Sequence, residues 1–108
     1  MPNNTSVIER TLDFVEPSGG RTTVTISFGP TYPVDDDYRC PVTFTGWQEK
    51  PPPDIWGFDS LQALLLAISL VHSMLVSFVE QGGRVLYAGT EDPFDLDGFL
   101  TPKYVKSI

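Results

Sequence analysis

The side chains able to do chemistry are few, and their spacing limits what they can do. His72 is the single histidine, midway along a helical stretch, with no second histidine, no nearby cysteine and no nucleophile-type partner in sequence. A general base works with a nucleophile and an orienting group, so His72 reads as a hydrogen-bonded or solvated residue on a helix border. Cys40 alternates with apolar residues and reads as a small buried side chain. Its one cationic neighbour, Arg39, is weak support for a thiolate. A lone cysteine also excludes an intrachain disulfide and a Cys-rich zinc site, and fits a reducing compartment. Neither a Walker nor a Gly-x-Gly-x-x-Gly phosphate loop is present, so no nucleotide cofactor is implied.

Carboxylates are the remaining resource. Asp35, Asp36 and Asp37 form one group; Glu91, Asp92, Asp95 and Asp97 form another, and together they hold seven of the fourteen acidic residues. Asp95-Leu96-Asp97-Gly98 has the look of a calcium loop, but with Gly98 at its sixth position Pro93 falls on the first ligand position, so the frame fails and no metal is expected. Glycoside hydrolysis by paired carboxylates requires a cleft, for which a chain of 108 residues gives little room. Tyr32, Tyr38, Trp56 and Phe94 are interleaved with these groups. Aromatic anchors beside carboxylates suit a protein contact, in which the rings hold and the charges steer. The expected contact residues are Asp35, Asp36, Asp37, Tyr38, Trp56, Glu91, Asp92, Phe94, Asp95 and Asp97. Seven Lys and Arg against fourteen Asp and Glu give a formal charge of −7, which argues against nucleic acid and against an anionic membrane surface.

The elements that would position these residues follow from periodicity. Ile8, Leu12 and Phe14 alternate with Glu9, Thr11 and Asp13, with Arg10 the one polar residue on the apolar side; Val24, Ile26 and Phe28 alternate with Thr23, Thr25 and Ser27. Both runs read as half-buried strands joined at Glu16-Pro17-Ser18-Gly19-Gly20 into a hairpin. Gly29 to Asp37 reads as an exposed loop. A third strand is expected from Tyr38 to Thr45, with Pro41 requiring an edge position or an outward-facing gap in the ladder. Gln48 to Gly57, with Pro51-Pro52-Pro53, reads as an extended crossover.

Asp59 and Gln62 predict a helix start and Gly82-Gly83 its end. The helix is apolar enough to cross a bilayer, which takes ~20 residues. However, Gln62, Ser69, Ser73, Ser77 and Glu80 align on one face, opposite Leu64, Ile68, Val71, Leu75 and Phe78, as in a helix laid across a sheet. Leu65, Leu66 and Val76 beside the polar stripe imply a second contact, made by the later chain or by another molecule. Arg84 to Ala88 reads as a fourth strand, and Thr101 to Lys106 as a possible last edge strand. The expected fold is one α+β domain over residues 1–108: an antiparallel sheet of four to five strands, order β-β-β-α-β, with one long helix packed across one face.

Arg39-Cys40-Pro41-Val42, followed by Gly57-Phe58-Asp59-Ser60-Leu61-Gln62-Ala63-Leu64, resembles a family of small, functionally uncharacterised bacterial domains with an RCPV-type strand and a G-x-D-S-L-Q-A-L helix start. In size and charge the chain is also similar to the immunity proteins of contact-dependent toxin systems, which are small, acidic, cytoplasmic and non-enzymatic. That likeness implies a binding inhibitor that masks the basic active site of a toxin domain such as a nuclease. Residues Met1 to Ser6 lack the charged and apolar regions of a secretory signal, in keeping with a cytoplasmic location. The alternative is a structural or regulatory subunit forming a homodimer through the helix face with Leu66 and Val76.

Overall fold

The computed structural model describes residues 7–47 and 50–99. Its elements are β1 (Ile8–Val15), β2 (Arg21–Phe28), β3 (Tyr32–Val34), β4 (Asp37–Cys40), β5 (Val42–Thr45), β6 (Ile55–Gly57), α1 (Ser60–Glu80) and β7 (Arg84–Tyr87). They build an α+β fold with a four-stranded antiparallel sheet, order β5-β2-β1-β7, and a second sheet of three short strands, order β3-β4-β6.

The β1–β2 hairpin is paired along its whole length, from Ile8 opposite Phe28 to Val15 opposite Arg21. Its turn closes through Gly19 N to Glu16 O and Glu16 N to Gly20 O, each 2.8 Å, with Gly19 at φ 105° where a side chain would be strained. Leu12, Phe14, Val24, Ile26 and Phe28 face inward and are buried, as their alternation predicts. Arg10 lies on this same face, its guanidinium 5.2 Å from the centre of the Phe94 ring, which gives a cation an aromatic partner in an apolar row.

Three sequence expectations change. The expected third strand is broken at Pro41: β4 ends at Cys40 in the small sheet and β5 begins at Val42 as an edge of the large one. Proline has no N–H for either ladder, and its carbonyl instead accepts from Gly29 N at 2.9 Å. The expected loop Gly29 to Asp37 contains β3, which pairs with β4 around the Asp35-Asp36 turn. The crossover ends in β6, which pairs with β4 from Cys40 opposite Ile55 to Tyr38 opposite Gly57. A three-residue strand gives too few alternations to stand out beside a proline run.

Helix α1 starts and stops where the capping residues predict. Asp59 is extended, and its Oδ1 accepts from Gln62 N at 2.7 Å; Gln62 Oε1 answers by accepting from Phe58 N at 2.6 Å, one residue before the usual partner. At the other end Gly82 N bonds Val79 O and Gly83 N bonds Phe78 O, with Gly82 at φ 103°, the paired bonds of a Schellman stop. The 21 residues make a rod about 31 Å long that packs mainly on β6 and β4 and less on β7 and β2, bridging the two sheets.

The buried seam of α1 is Ala63, Ala67, Val71 and Leu75, with Leu64, Ile68 and Phe78 half-buried at its border. The expected apolar face is thus turned toward the alanines. Close approach explains this: a Cβ on Gly57 would stand 2.6 Å from Ala63 N, so β6 touches the helix backbone and only small side chains fit. Toward the other end Phe14, Phe44, Trp47 and Phe78 form an aromatic cluster, with the Phe14 and Trp47 rings 4.7 Å apart, edge to face. The expected strand from Thr101 to Lys106 lies outside the described residues.

Candidate functional site

His72 Nε2 donates to the Leu96 carbonyl at 2.9 Å and the ring stacks on Phe99 at 5.8 Å. Its Nε2 is therefore engaged by backbone, and among the described residues no carboxylate hydrogen-bonds to the ring. Cys40 is fully buried, and burial pushes its thiol pKa up, away from a reactive thiolate. An open groove of about 340 Å³ between Trp47 and the second half of α1 is lined by Ser73, Met74, Ser77, Phe78 and Gln81, none of which titrates near neutral pH. Among the described residues no group of three His, Cys, Asp or Glu side chains is placed to hold a metal ion.

The two acidic groups lie on different sheets. Glu91, Asp92, Asp95 and Asp97 belong to the segment after β7, the edge farthest from β5. Glu91 is tied to Arg21 and, at 3.6 Å, to Arg84. Asp95 Oδ1 accepts from Gly98 N at 3.1 Å, while Asp92 and Asp97 are exposed. Phe94, expected as a contact residue, is instead buried: Phe94 N pairs with Val85 O at 2.8 Å and its ring packs on Tyr87 and Phe99. Alternation on a following edge segment turns it into the core, so it has no free face for a partner.

Asp13, on the outer face of β1, anchors the start of this segment. Its carboxylate accepts from Arg21 Nε at 3.0 Å and Nη2 at 2.8 Å, from Thr23 Oγ1 at 2.8 Å and from Gly89 N at 2.9 Å. These donors, the Gly89 amide first, hold its pKa down at about 2.

The first acidic group occupies the tip of the β3–β4 hairpin. Asp35 and Asp36 are exposed, and Asp35 has φ 53°, a left-handed conformation that aspartate tolerates better than most residues. Asp37 pairs with Val34. Tyr38, expected as a contact residue, is half-buried and packs inward with Cys40, whereas Trp56 is 54% exposed. Trp56 stands opposite Arg39, and Arg39 stands opposite Tyr32, so one row of three side chains crosses the outer face of the small sheet. Strand spacing puts neighbours in such a row within reach of one another, roughly 5 Å between Cβ atoms. The Tyr32 hydroxyl donates to Asp54 Oδ2, just ahead of β6, and that carboxylate raises the phenol pKa. Arg39 Nε is buried, and among the described residues it has no hydrogen-bond partner and Arg39 makes no ion pair.

A family model for a domain of unknown function, DUF6968, matches residues 8–97. The chain belongs to the DUF6968 family. The expectation of an uncharacterised domain family holds. No curated protein and no solved structure matches the chain. The matched segment contains both acidic groups and the whole Tyr32–Arg39–Trp56 row.

The outer face of the small sheet in this DUF6968 domain therefore gathers two partly exposed rings, one cation and the carboxylates of Asp35, Asp36, Asp37 and Asp54. Sequence reading found the aspartates and the rings but missed Arg39 and Asp54 as members. The signal for Arg39 was present: with Tyr38 and Cys40 facing inward, period-two alternation turns Arg39 outward. What the sequence did not carry is β6, the strand that brings Trp56 and Asp54 alongside.

Proposed function

We propose that this DUF6968 domain is a non-enzymatic inhibitor that binds a basic protein partner through the outer face of its small sheet. It would act in the bacterial cytoplasm as an immunity protein acts on a toxin domain, by covering a positively charged active site. The observation that carries this reading is Trp56, 54% exposed, in register with Arg39 and Tyr32 and rimmed by aspartates. Trp, Tyr and Arg are the residues that most often dominate the energy of protein interfaces, and a carboxylate rim speeds encounter with a cationic surface. A nuclease-type toxin must carry positive charge to hold its substrate, which makes it a fitting target.

Capture from the source cell with wild-type domain and with Trp56→Ala tests the proposal. The expected result is an equimolar basic protein on the wild type and a loss of at least about 2 kcal/mol of its binding energy in the folded variant. Equal retention of that protein by both would sink the reading. Self-association has its own supporting observation, since Leu61, Leu65 and Leu66 of α1 are 61%, 53% and 45% exposed, with Val76 half-buried beside them. Sedimentation of the isolated domain as a monomer removes that alternative.

A further inference from the structure

Phe58 is 74% exposed, more than any other large apolar side chain among the described residues. A ring one place ahead of a helix cap ordinarily folds onto the fourth residue of the helix, which here is Ala63. Ala63 is buried against Gly57, where a Cβ would stand 2.6 Å from its amide nitrogen, so strand backbone already fills that seat. Phe58 is left outside, and it has company. Trp56 precedes it by two residues, and Leu61 and Leu65 follow one turn apart on α1, all three more than half exposed. Four large apolar side chains within ten residues make an uncovered patch where β6 runs into α1, the kind of surface that marks an interaction site.

The charge beside this patch is of one sign. From Pro51 to Gly83 the chain has no lysine or arginine, and the carboxylates nearest the patch in sequence are Asp54 and Asp59. Both are exposed, and neither forms an ion pair among the described residues. Arg39, in register with Trp56, is half-buried. A second copy docked on the same patch would set these carboxylates against their own kind, with no cation in the run to offset them. A bilayer surface fits poorly too, since a segment that lies in one carries lysine and arginine beside its apolar side. A cationic protein surface suits both the apolar centre and the carboxylates at its edge. We infer that Trp56, Phe58, Leu61 and Leu65 are the apolar centre of the docking surface, and that the basic partner meets them with leucine-type side chains set between lysines or arginines. The inference rests on the docking reading above and extends it from the small-sheet face round the corner onto α1.

The probe is a pair of peptides of equal charge, Lys-Leu-Leu-Lys-Lys-Leu-Leu-Lys and Lys-Ser-Ser-Lys-Lys-Ser-Ser-Lys, titrated into isotopically labelled domain and followed by the Trp56 indole and the Leu61 and Leu65 methyl resonances. General attraction to a chain of charge −7 treats the two alike. The leucine peptide is expected to bind about ten-fold more tightly, the effect of burying roughly one leucine side chain. Phe58→Ser with Leu61→Ser, which spares the capping pair Asp59 and Gln62, should abolish that preference, whereas Leu66→Ser, an exposed leucine further round the helix, should leave it intact. If both peptides bind equally and shift only the small-sheet face, the apolar centre is overturned while docking of a basic partner stands. If neither peptide binds, both fall. Partition of the wild-type domain onto phosphatidylcholine vesicles, or its sedimentation as a dimer, with either lost in the double variant, would also overturn the inference and give the patch to a bilayer or to a second copy.

Discussion

Asp13 sits on the outward side of β1, where a carboxylate is ordinarily solvated, yet it is buried beneath Arg21 and the Gly89 turn. Four donated hydrogen bonds favour its charged form and lower its pKa from 3.8 to about 2. Because the folded value is depressed, the contribution of Asp13 to stability is complete above about pH 5, fades as pH falls through the ordinary carboxylate range, and is gone below the folded pKa. Urea midpoints measured across that window should fall with acid more steeply for the wild type than for Asp13→Asn, which keeps an acceptor but cannot titrate. Parallel curves would remove Asp13 as an acid-sensitive tie between the β1–β2 hairpin and the segment after β7. The alternation of β1 predicts the outward position of Asp13. Its burial depends on Gly89, seventy-six residues away, and no local pattern carries that information.

At the scale of elements, the least visible part of the fold is the contact that sets its geometry. Gly57 in β6 lies against the first turn of α1, with Ala63 N 2.6 Å from where a Cβ would stand. Gly57→Ala must push strand from helix, at a cost of about 1–3 kcal/mol. Gly20→Ala, where nothing lies within 4 Å, should stay within about 0.5 kcal/mol of wild type. Urea unfolding compares them, and equal midpoints would show that β6 and α1 are not in close contact. The caps of α1 and the β1–β2 hairpin were readable because each is decided by residues within a few positions of itself. The break at Pro41 was readable as a difficulty, though not as a change of sheet. β3 and β6 were hidden because three residues show no period and both strands depend on β4 for their bonds. The turn of the α1 seam toward Ala63 and Ala67 follows from β6, and so was hidden with it.

For the whole molecule, the decisive fact is that seven of the fourteen carboxylates are divided between two separate places, the small sheet and the segment after β7. The long-range field belongs to the total, whereas the proposed docking belongs to one face, and ionic strength separates them because the screening length falls from roughly 30 Å at 0.01 M to about 10 Å at 0.1 M. Two triple variants carry the test. One is Asp35→Asn, Asp36→Lys and Asp37→Lys, with asparagine at the left-handed position because it tolerates that backbone. The other is Asp92→Lys, Asp95→Asn and Asp97→Lys, with asparagine keeping the acceptor for Gly98 N. Each shifts the formal charge by five, to −2, so at low salt both should slow association with the captured basic partner. Near physiological salt the second triple should recover the wild-type rate while the hairpin-tip triple stays slower by about ten-fold, because its changes sit in the β3–β4 hairpin of the small sheet itself, whereas the others follow β7 of the large one. Stopped-flow rates across the salt series decide it. Equal slowing at high salt would move the docking surface off the small sheet, and a larger deficit in the second triple would place it beside β7, where Glu91 already holds Arg21 and Arg84.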